Sequence, residues 1–500
     1  MTHSEERRKI DQLFREVADK GMSRRQMIQR AAVLGISAQA LTLAFVGISR
    51  QAVAQGNENP LGVDPAAPLD IVIFKGGYGD DYAIYVKDEM YARDFPEAEL
   101  TYNGTQRLQE QYQARLVDGN PPDVMDNSGA GNFPTTTLYT EGQLADLTDL
   151  MEAPAYGQDG VSFADSLVTG SQATGVYDGT QYNLNYVLSV WGVWYNQALL
   201  AENGWEYPQT WDDMLALCET IKTDTDTAPW TYQGLYPGYM RSMYNQLVFK
   251  NGGWDAVLKL DNLAEDAWTQ EPSIGALKAL QALHDNDYIM EGTAGLSHTE
   301  SQTFWIQGDA VFIPCGAWLE NEMKDVLADT PDFQMVVQPT PNLTADDAMP
   351  FSAIEAYSGE VFIVFSQGKN VQGGKEYLRM LFSKEGAQFF SEATRSLTVV
   401  EGAAEGLDLG TAFASVEAAI VNAGENTFTT RYAGWYPDLK EEGDLQVGAI
   451  LTGETTAEEA AQVMQALVDE IRENPDIEKF TREDPSTAVP GSTPVATPSS

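Results

Sequence analysis

The sequence predicts an α/β fold, and three stretches carry that expectation. Leu69-Asp70-Ile71-Val72-Ile73-Phe74 is a short apolar, β-branched run that stops at Lys75-Gly76-Gly77, as a buried strand does where it opens into a loop. Helical stretches follow near residues 81–93 and 106–117, the second ended by Asp118-Gly119-Asn120-Pro121-Pro122. Asp123-Val124-Met125 then returns to strand character. Strand, helix, strand with short joins is the rhythm of a parallel sheet.

The rhythm recurs further on. Gly192-Val193-Trp194-Tyr195 reads as a strand, and residues 210–220 read as a helix with Thr210 at its N-cap and Asp213 three residues on. Residues 310–313, 335–338 and 360–365 are further strands, and residues 373–382 a helix. Ala460, Val463, Met464, Leu467, Val468 and Ile471 follow helical spacing behind a Thr456/Glu459 capping box. That stripe is core packing and carries no chemistry.

With 500 residues, 43% of them hydrophobic, the chain can build two or three domains or one large two-lobed body. Its 30 Lys and Arg face 74 Asp and Glu, a formal charge of −44. Such a surface repels phosphate backbones and anionic lipid, so no nucleic-acid partner is expected. Only Cys218 and Cys315 occur, which excludes a disulfide framework and a Cys-rich zinc site. Cys315, bracketed by apolar and small residues, reads as a buried inert thiol. His284 and His298 are the only histidines beyond the leader, so neither a metal cluster nor a cofactor is expected.

Residues 1–54 read as an export leader. Arg24-Arg25 precedes a mildly apolar run over residues 31–48, and Gln51-Ala52-Val53-Ala54 offers a small-x-small cleavage site. The paired arginines resemble a twin-arginine signal; the alternative is a single spanning anchor. Residues 55–67 are a linker, and residues 481–500, rich in Pro, Ser and Thr, read as a disordered tail.

Several stretches share a pattern with one family. They are Asn120-Pro121-Pro122-Asp123-Val124-Met125-Asp126-Asn127, Leu184-Asn185-Tyr186, Gly192-Val193-Trp194-Tyr195, Tyr207-Pro208-Gln209-Thr210-Trp211-Asp212-Asp213, Gly316-Ala317-Trp318-Leu319-Glu320-Asn321 and Gly359-Glu360-Val361-Phe362. In that order the chain resembles the extracytoplasmic carbohydrate-binding proteins of ABC importers, the maltose-binding-like class. Within it the chain is most similar to subunits that bind N-acetylglucosamine or N,N'-diacetylchitobiose. The resemblance implies a two-lobed, type II periplasmic-binding-protein-like fold with mixed sheets flanked by helices and a hinge of crossing segments. Lobe one would take residues 68–185 and 356–396, lobe two residues 186–355 and 397–480. It further implies a neutral amino sugar or short chito-oligosaccharide as ligand, an ABC permease as partner, a monomer, and a place in the periplasm or on the outer face of the cytoplasmic membrane.

A saccharide offers hydroxyls and an apolar ring face, so flat rings with amides and carboxylates suit it. Asp126-Asn127 directly follows a strand, where short side chains either reach a cleft or start an Asx turn. Tyr78 lies in the loop after the first strand, and its neighbours Asp80 and Asp81 read as helix-start acids. Trp318 follows Cys315-Gly316-Ala317, where the class stacks a ring on sugar. Trp191, Trp230, Tyr232 and Trp435 are further ring candidates, each with core packing as its alternative. Glu355 flanks the return crossing with Glu360, and either could accept hydroxyls.

No catalytic residue is assigned. The rival from another class is an exported glycoside hydrolase, which needs two suitably spaced carboxylates; no Gly-x-Ser-x-Gly elbow occurs. A milder rival keeps the class and changes the ligand to another neutral oligosaccharide.

Overall fold

The computed structural model describes residues 59–483 apart from 130, 169 and 170. The leader, the first four linker residues and all but the first three residues of the tail lie outside the described residues. Strand β1 (Leu69–Phe74) pairs in parallel with β2 (Leu100–Thr105) and β3 (Val124–Asp126). Leu69, Ile71 and Ile73 enter one core while Val72 packs in a second with Leu108, Tyr112 and Met125. Burial on both faces explains why this strand reads as an unbroken apolar run.

Two short strands, β4 (Val176–Tyr177) and β5 (Thr180–Gln181), form a hairpin ahead of β6 (Asn183–Asn196). The other strands are β7 (Ala228–Trp230), β8 (Ala310–Gly316), β9 (Met335–Gln338), β10 (Ile354–Val364), β11 (Leu397–Thr398) and β12 (Thr427–Phe428). The main sheet runs β2-β1-β3-β10-β6-β8-β7, with β9 and β11 also on β6 and β12 on β10. Its frame is the antiparallel pairing of β6 with β10, from Glu355 opposite Trp191 to Ile363 opposite Asn183. One end of this pair joins β3, and the other end of β6 joins β8 and β9. The same two strands therefore link β1, β2 and β3 on one side of the sheet to β7, β8 and β9 on the other.

The expected helices form close to their sequence limits. Thr210 caps Trp211–Asp224 by accepting from the Asp213 amide. The Thr456/Glu459 capping box opens Ala457–Glu473; of its expected stripe Ala460, Met464, Val468 and Ile471 are buried and Leu467 is half-buried, whereas Val463 lies exposed on the edge of the face. The stretch from residue 81 is helical but wound wide over Val86–Tyr91. The expected strands near 192 and 360 are the ends of much longer ones. Among the described residues no helix is long and apolar enough to cross a membrane.

Helix Val371–Leu381 holds a buried ion pair. Arg379, 1% exposed, donates to Glu376 from Nε at 2.7 Å and from Nη2 at 2.6 Å, and its Nη1 donates to the Pro154 carbonyl. Removing one partner strands a charge away from water. Glu376→Ala is expected to cost about 3–5 kcal/mol of folding stability, read as a lower urea midpoint at unchanged slope.

Candidate functional site

The register of β6 and β10 builds the floor of the candidate site. Trp191 stands opposite Glu355 and Ser189 opposite Tyr357, so these four share one face of the crossing strands. Leu188, Val190 and Ala356 point the other way into the core.

Two more rings join them. Trp318 meets Trp191 edge to face at 4.9 Å, and Tyr239, near the start of helix Gly238–Asp261, meets Trp191 at 5.1 Å. The Trp318 indole lies over Gly316, where a Cβ would fall 2.1 Å from the ring; glycine is required there by close approach. The loop after β1 approaches the same indole. The Gly77 carbonyl accepts from Asn321 Nδ2 at 2.5 Å, and a Cβ on Gly77 would stand 3.4 Å from the Trp318 indole. Tyr78 follows directly, half-buried, with its ring 5.5 Å from Phe390. Tyr78, Trp191, Tyr239, Trp318 and Tyr357 are all half-buried, so each keeps part of its surface open to a ligand.

Behind the rings lie acids. Asp126 is fully buried at the end of β3; Ser128 Oγ donates to it at 2.6 Å and the Tyr82 hydroxyl at 3.2 Å. Ser128 Oγ also accepts from the Val361 amide at 2.8 Å. Next to that amide, Glu360 interrupts the ladder between Gly359 and Val361 with φ 51. A left-handed backbone is unfavourable for a side chain of this kind, and it turns the half-buried carboxyl toward Asp126 and the site. Burial raises both acids; Glu360 sits at about 7, and its proximity pushes Asp126 up further. Glu355, taken by the Ser242 hydroxyl on one oxygen, is also pushed up to about 7 by burial, with Ser242 and Arg241 opposing.

Tyr78, Asp126, Trp191, Trp318 and Glu355 are thus brought together. The other four candidates are not. Asn127 spends its side chain on the following loop, accepting from the Phe133 amide and donating to its carbonyl, both at 2.8 Å: the Asx-like role. Trp230 is sealed in a core with Trp211, Tyr244 and Phe312 and donates from Nε1 to Cys218 Sγ. Tyr232 is buried in the same core. Trp435 stacks on Phe480 at 5.6 Å under Arg431, apart from the other rings. Asp80 is also more than a helix-start acid: it pairs with Lys75 at 2.8 Å and accepts from the Tyr102 hydroxyl. Cys315 is a buried free thiol, as expected.

Sequence reasoning missed Ser189, Tyr239, Asn321 and Tyr357. Period-two alternation from Trp191 and Glu355 would have reached Ser189 and Tyr357; Asn321 lies in the stretch around Trp318 that carries the resemblance but was given no role, and no local signal marks Tyr239. A groove of about 650 Å³ lies elsewhere, lined among others by Tyr195, Gln338, Phe351 and Ser415, and shares none of these rings.

Two lobes on shared crossing strands, meeting over half-buried rings and carboxyls, define a binding protein of the two-lobed periplasmic type. The family model for bacterial extracellular solute-binding proteins matches residues 51–388, and the chain belongs to that family. It is 32% identical over 423 residues to the diacetylchitobiose-binding protein NgcE of Streptomyces coelicolor, covering 84% of this chain and 88% of that one. A shorter match, 28% over 165 residues, is to the alpha-glucosides-binding periplasmic protein AglE of Rhizobium meliloti, covering 32% and 34%. Among solved structures the fold is similar to a chitin oligosaccharide binding protein, with TM-score 0.62 at 18% identity, covering 78% of this chain and 93% of that one. It is likewise similar to RafE in complex with raffinose, with TM-score 0.65 at 16% identity over 80% and 99%.

The raised acids set a pH dependence. Between the usual glutamate range near 4.5 and about 7, the folded chain holds protons at Glu355 and Glu360 that the unfolded chain has released. Stability therefore falls as pH rises through that window. Glu355→Gln is expected to flatten the slope in urea unfolding across a pH series. An unchanged slope would contradict the burial of this acid.

Proposed function

We propose that this chain is the substrate-binding subunit of a sugar ABC importer, closing its two lobes on N-acetylglucosamine or N,N'-diacetylchitobiose and handing the sugar to the permease. The observation that carries the reading is the ring cluster of Trp191, Trp318 and Tyr239, against which the Gly77 loop that also carries Tyr78 is held by Asn321. Kinship with a diacetylchitobiose-binding protein over most of the chain supports the ligand class. We further propose that the lobes comprise residues 68–185 with 356–396, and 186–355 with 397–480. The leader would direct export through the twin-arginine route to the periplasm or the outer face of the membrane, where the protein works as a monomer.

Each feature has a physical task. Rings cover the apolar face of a pyranose, while Glu355, Glu360 and Ser189 offer hydrogen-bond partners on the strands beneath. Asn321 and Gly77 join the lobes at the edge of the same cluster, so a ligand touching both faces favours the closed form by its contacts in that form. Binding requires no covalent step.

Trp318→Ala is expected to weaken N,N'-diacetylchitobiose binding by about 2 kcal/mol or more, roughly thirtyfold in Kd, in titration calorimetry, with the melting curve of the free protein little changed. The sugar should be recovered intact from the incubation. Release of the monosaccharide would mark a hydrolase, and equal affinity in the variant would remove Trp318 from the site.

A further inference from the structure

Large apolar side chains that stand exposed are few on this chain, and three of the eight among the described residues lie together. Leu235 is 58% exposed, Tyr236 50% and Phe304 39%. The Leu235 amide donates to the Leu296 carbonyl at 3.0 Å, and the Tyr236 ring meets His298 edge to face at 5.4 Å. Leu296 and Phe304 line one groove of about 430 Å³ with Met290 and Ala228. Helix His298–Gln307 buries Ser301, Gln302, Trp305 and Ile306, so Phe304 lies off the face that packs. Single exposed apolar residues are ordinary, whereas a contiguous set marks a surface that a partner covers.

The patch is tightly built and acidic at its rim. A Cβ on Gly234 would fall 2.0 Å from the Thr293 carbonyl, so the loop bearing Leu235 lies close against the loop bearing Leu296. Asp226, Glu291 and Asp309 complete the groove, and no lysine or arginine lines it. The patch also adjoins the candidate site. The Tyr239 amide donates to the Tyr236 carbonyl at 3.2 Å. His298 Nε2 stands 3.3 Å from Glu322 Oε1, and the Glu322 amide donates to the Trp318 carbonyl at 3.0 Å.

We propose that this patch is the surface on which the permease docks, through a segment that sets a bulky apolar side chain in the groove and a lysine or arginine against its acids. The inference rests on the importer reading and names a contact that reading leaves open. Burying Leu235 and Phe304 supplies apolar area, and the three carboxyls select a cationic neighbour. A second copy of the chain is disfavoured, because with a net charge of −44 it would bring acid against acid. Docking here engages the turns that carry Tyr239 and Trp318, two of the rings proposed to hold the sugar.

The test pairs calorimetry of the purified chain with uptake of labelled N,N'-diacetylchitobiose by source cells that lack the gene and carry each variant at equal protein level. In Leu235→Asp and in Phe304→Asp, uptake at limiting sugar is expected to fall about tenfold or more, with the Kd for the sugar unchanged. Asp226→Asn combined with Glu291→Gln and Asp309→Asn is expected to lower uptake about threefold, again at unchanged Kd. A variant that does not melt cooperatively is replaced by Phe304→Ser. Full uptake by either set of variants at unchanged Kd overturns this inference alone. Sugar affinity lost at an unchanged melting curve places the patch in the sugar site and likewise overturns it. So does light scattering that finds the parent chain a dimer and Phe304→Asp a monomer. If the parent chain neither binds the sugar nor restores uptake, the importer reading falls and this inference with it.

Discussion

The antiparallel pairing of β6 with β10 is the constraint on which the rest of the structure depends. Because the backbone ladder runs from one lobe into the other, each residue on the crossing is placed by register and not by a loop. The pleat then sends Leu188, Val190 and Ala356 into the core and Ser189, Trp191, Glu355 and Tyr357 into the site. A shift of one residue would exchange the two sets, burying polar groups and exposing apolar ones. Core packing of one face thus fixes the composition of the other, and a site on such strands is held more firmly than one on loops.

Glu360 is where this order breaks. Holding a non-glycine residue in the left-handed region costs about 1–3 kcal/mol, and the surrounding ladder and the Ser128 contact to Val361 sustain it. The same break brings a second carboxyl up to Asp126. Rings that exclude water from the site deprive these acids of solvation, so they hold protons where exposed acids would be charged. Ring contact area and acid chemistry are therefore linked: the packing that makes a flat surface for a ligand also raises the acids beneath it.

Lobe contact follows from small residues in two places. Gly316 leaves room for the Trp318 indole to lie flat over β8, and Gly77 lets the lobe-one loop approach that indole. Asn321 then reaches the Gly77 carbonyl. A bulkier residue at Gly316 would lift the ring and separate the groups that meet at the cleft.

Much of the fold was legible in the sequence. The β-branched run at residue 69, the capped helix at Thr210 and most of the stripe of the final helix each follow from local period and local hydrogen bonding, while Tyr78, Trp191 and Glu355 were singled out by their place beside a strand or crossing and Trp318 by the motif that carries it. Trp230, Tyr232, Trp435 and Asn127 lie apart from this cluster, and the sequence does not separate them from it because a ring or an amide next to a strand has the same local pattern whether it faces core or cleft. Sequence by itself determined most of the elements and the acidic charge, since these depend on composition and on neighbours along the chain. Only tertiary structure decided which face of β6 and β10 became the site, that Tyr239 and Asn321 belong to it, and that Glu360 meets Asp126. Those outcomes turn on contacts between residues far apart in sequence, where burial and strand register set the environment of each side chain.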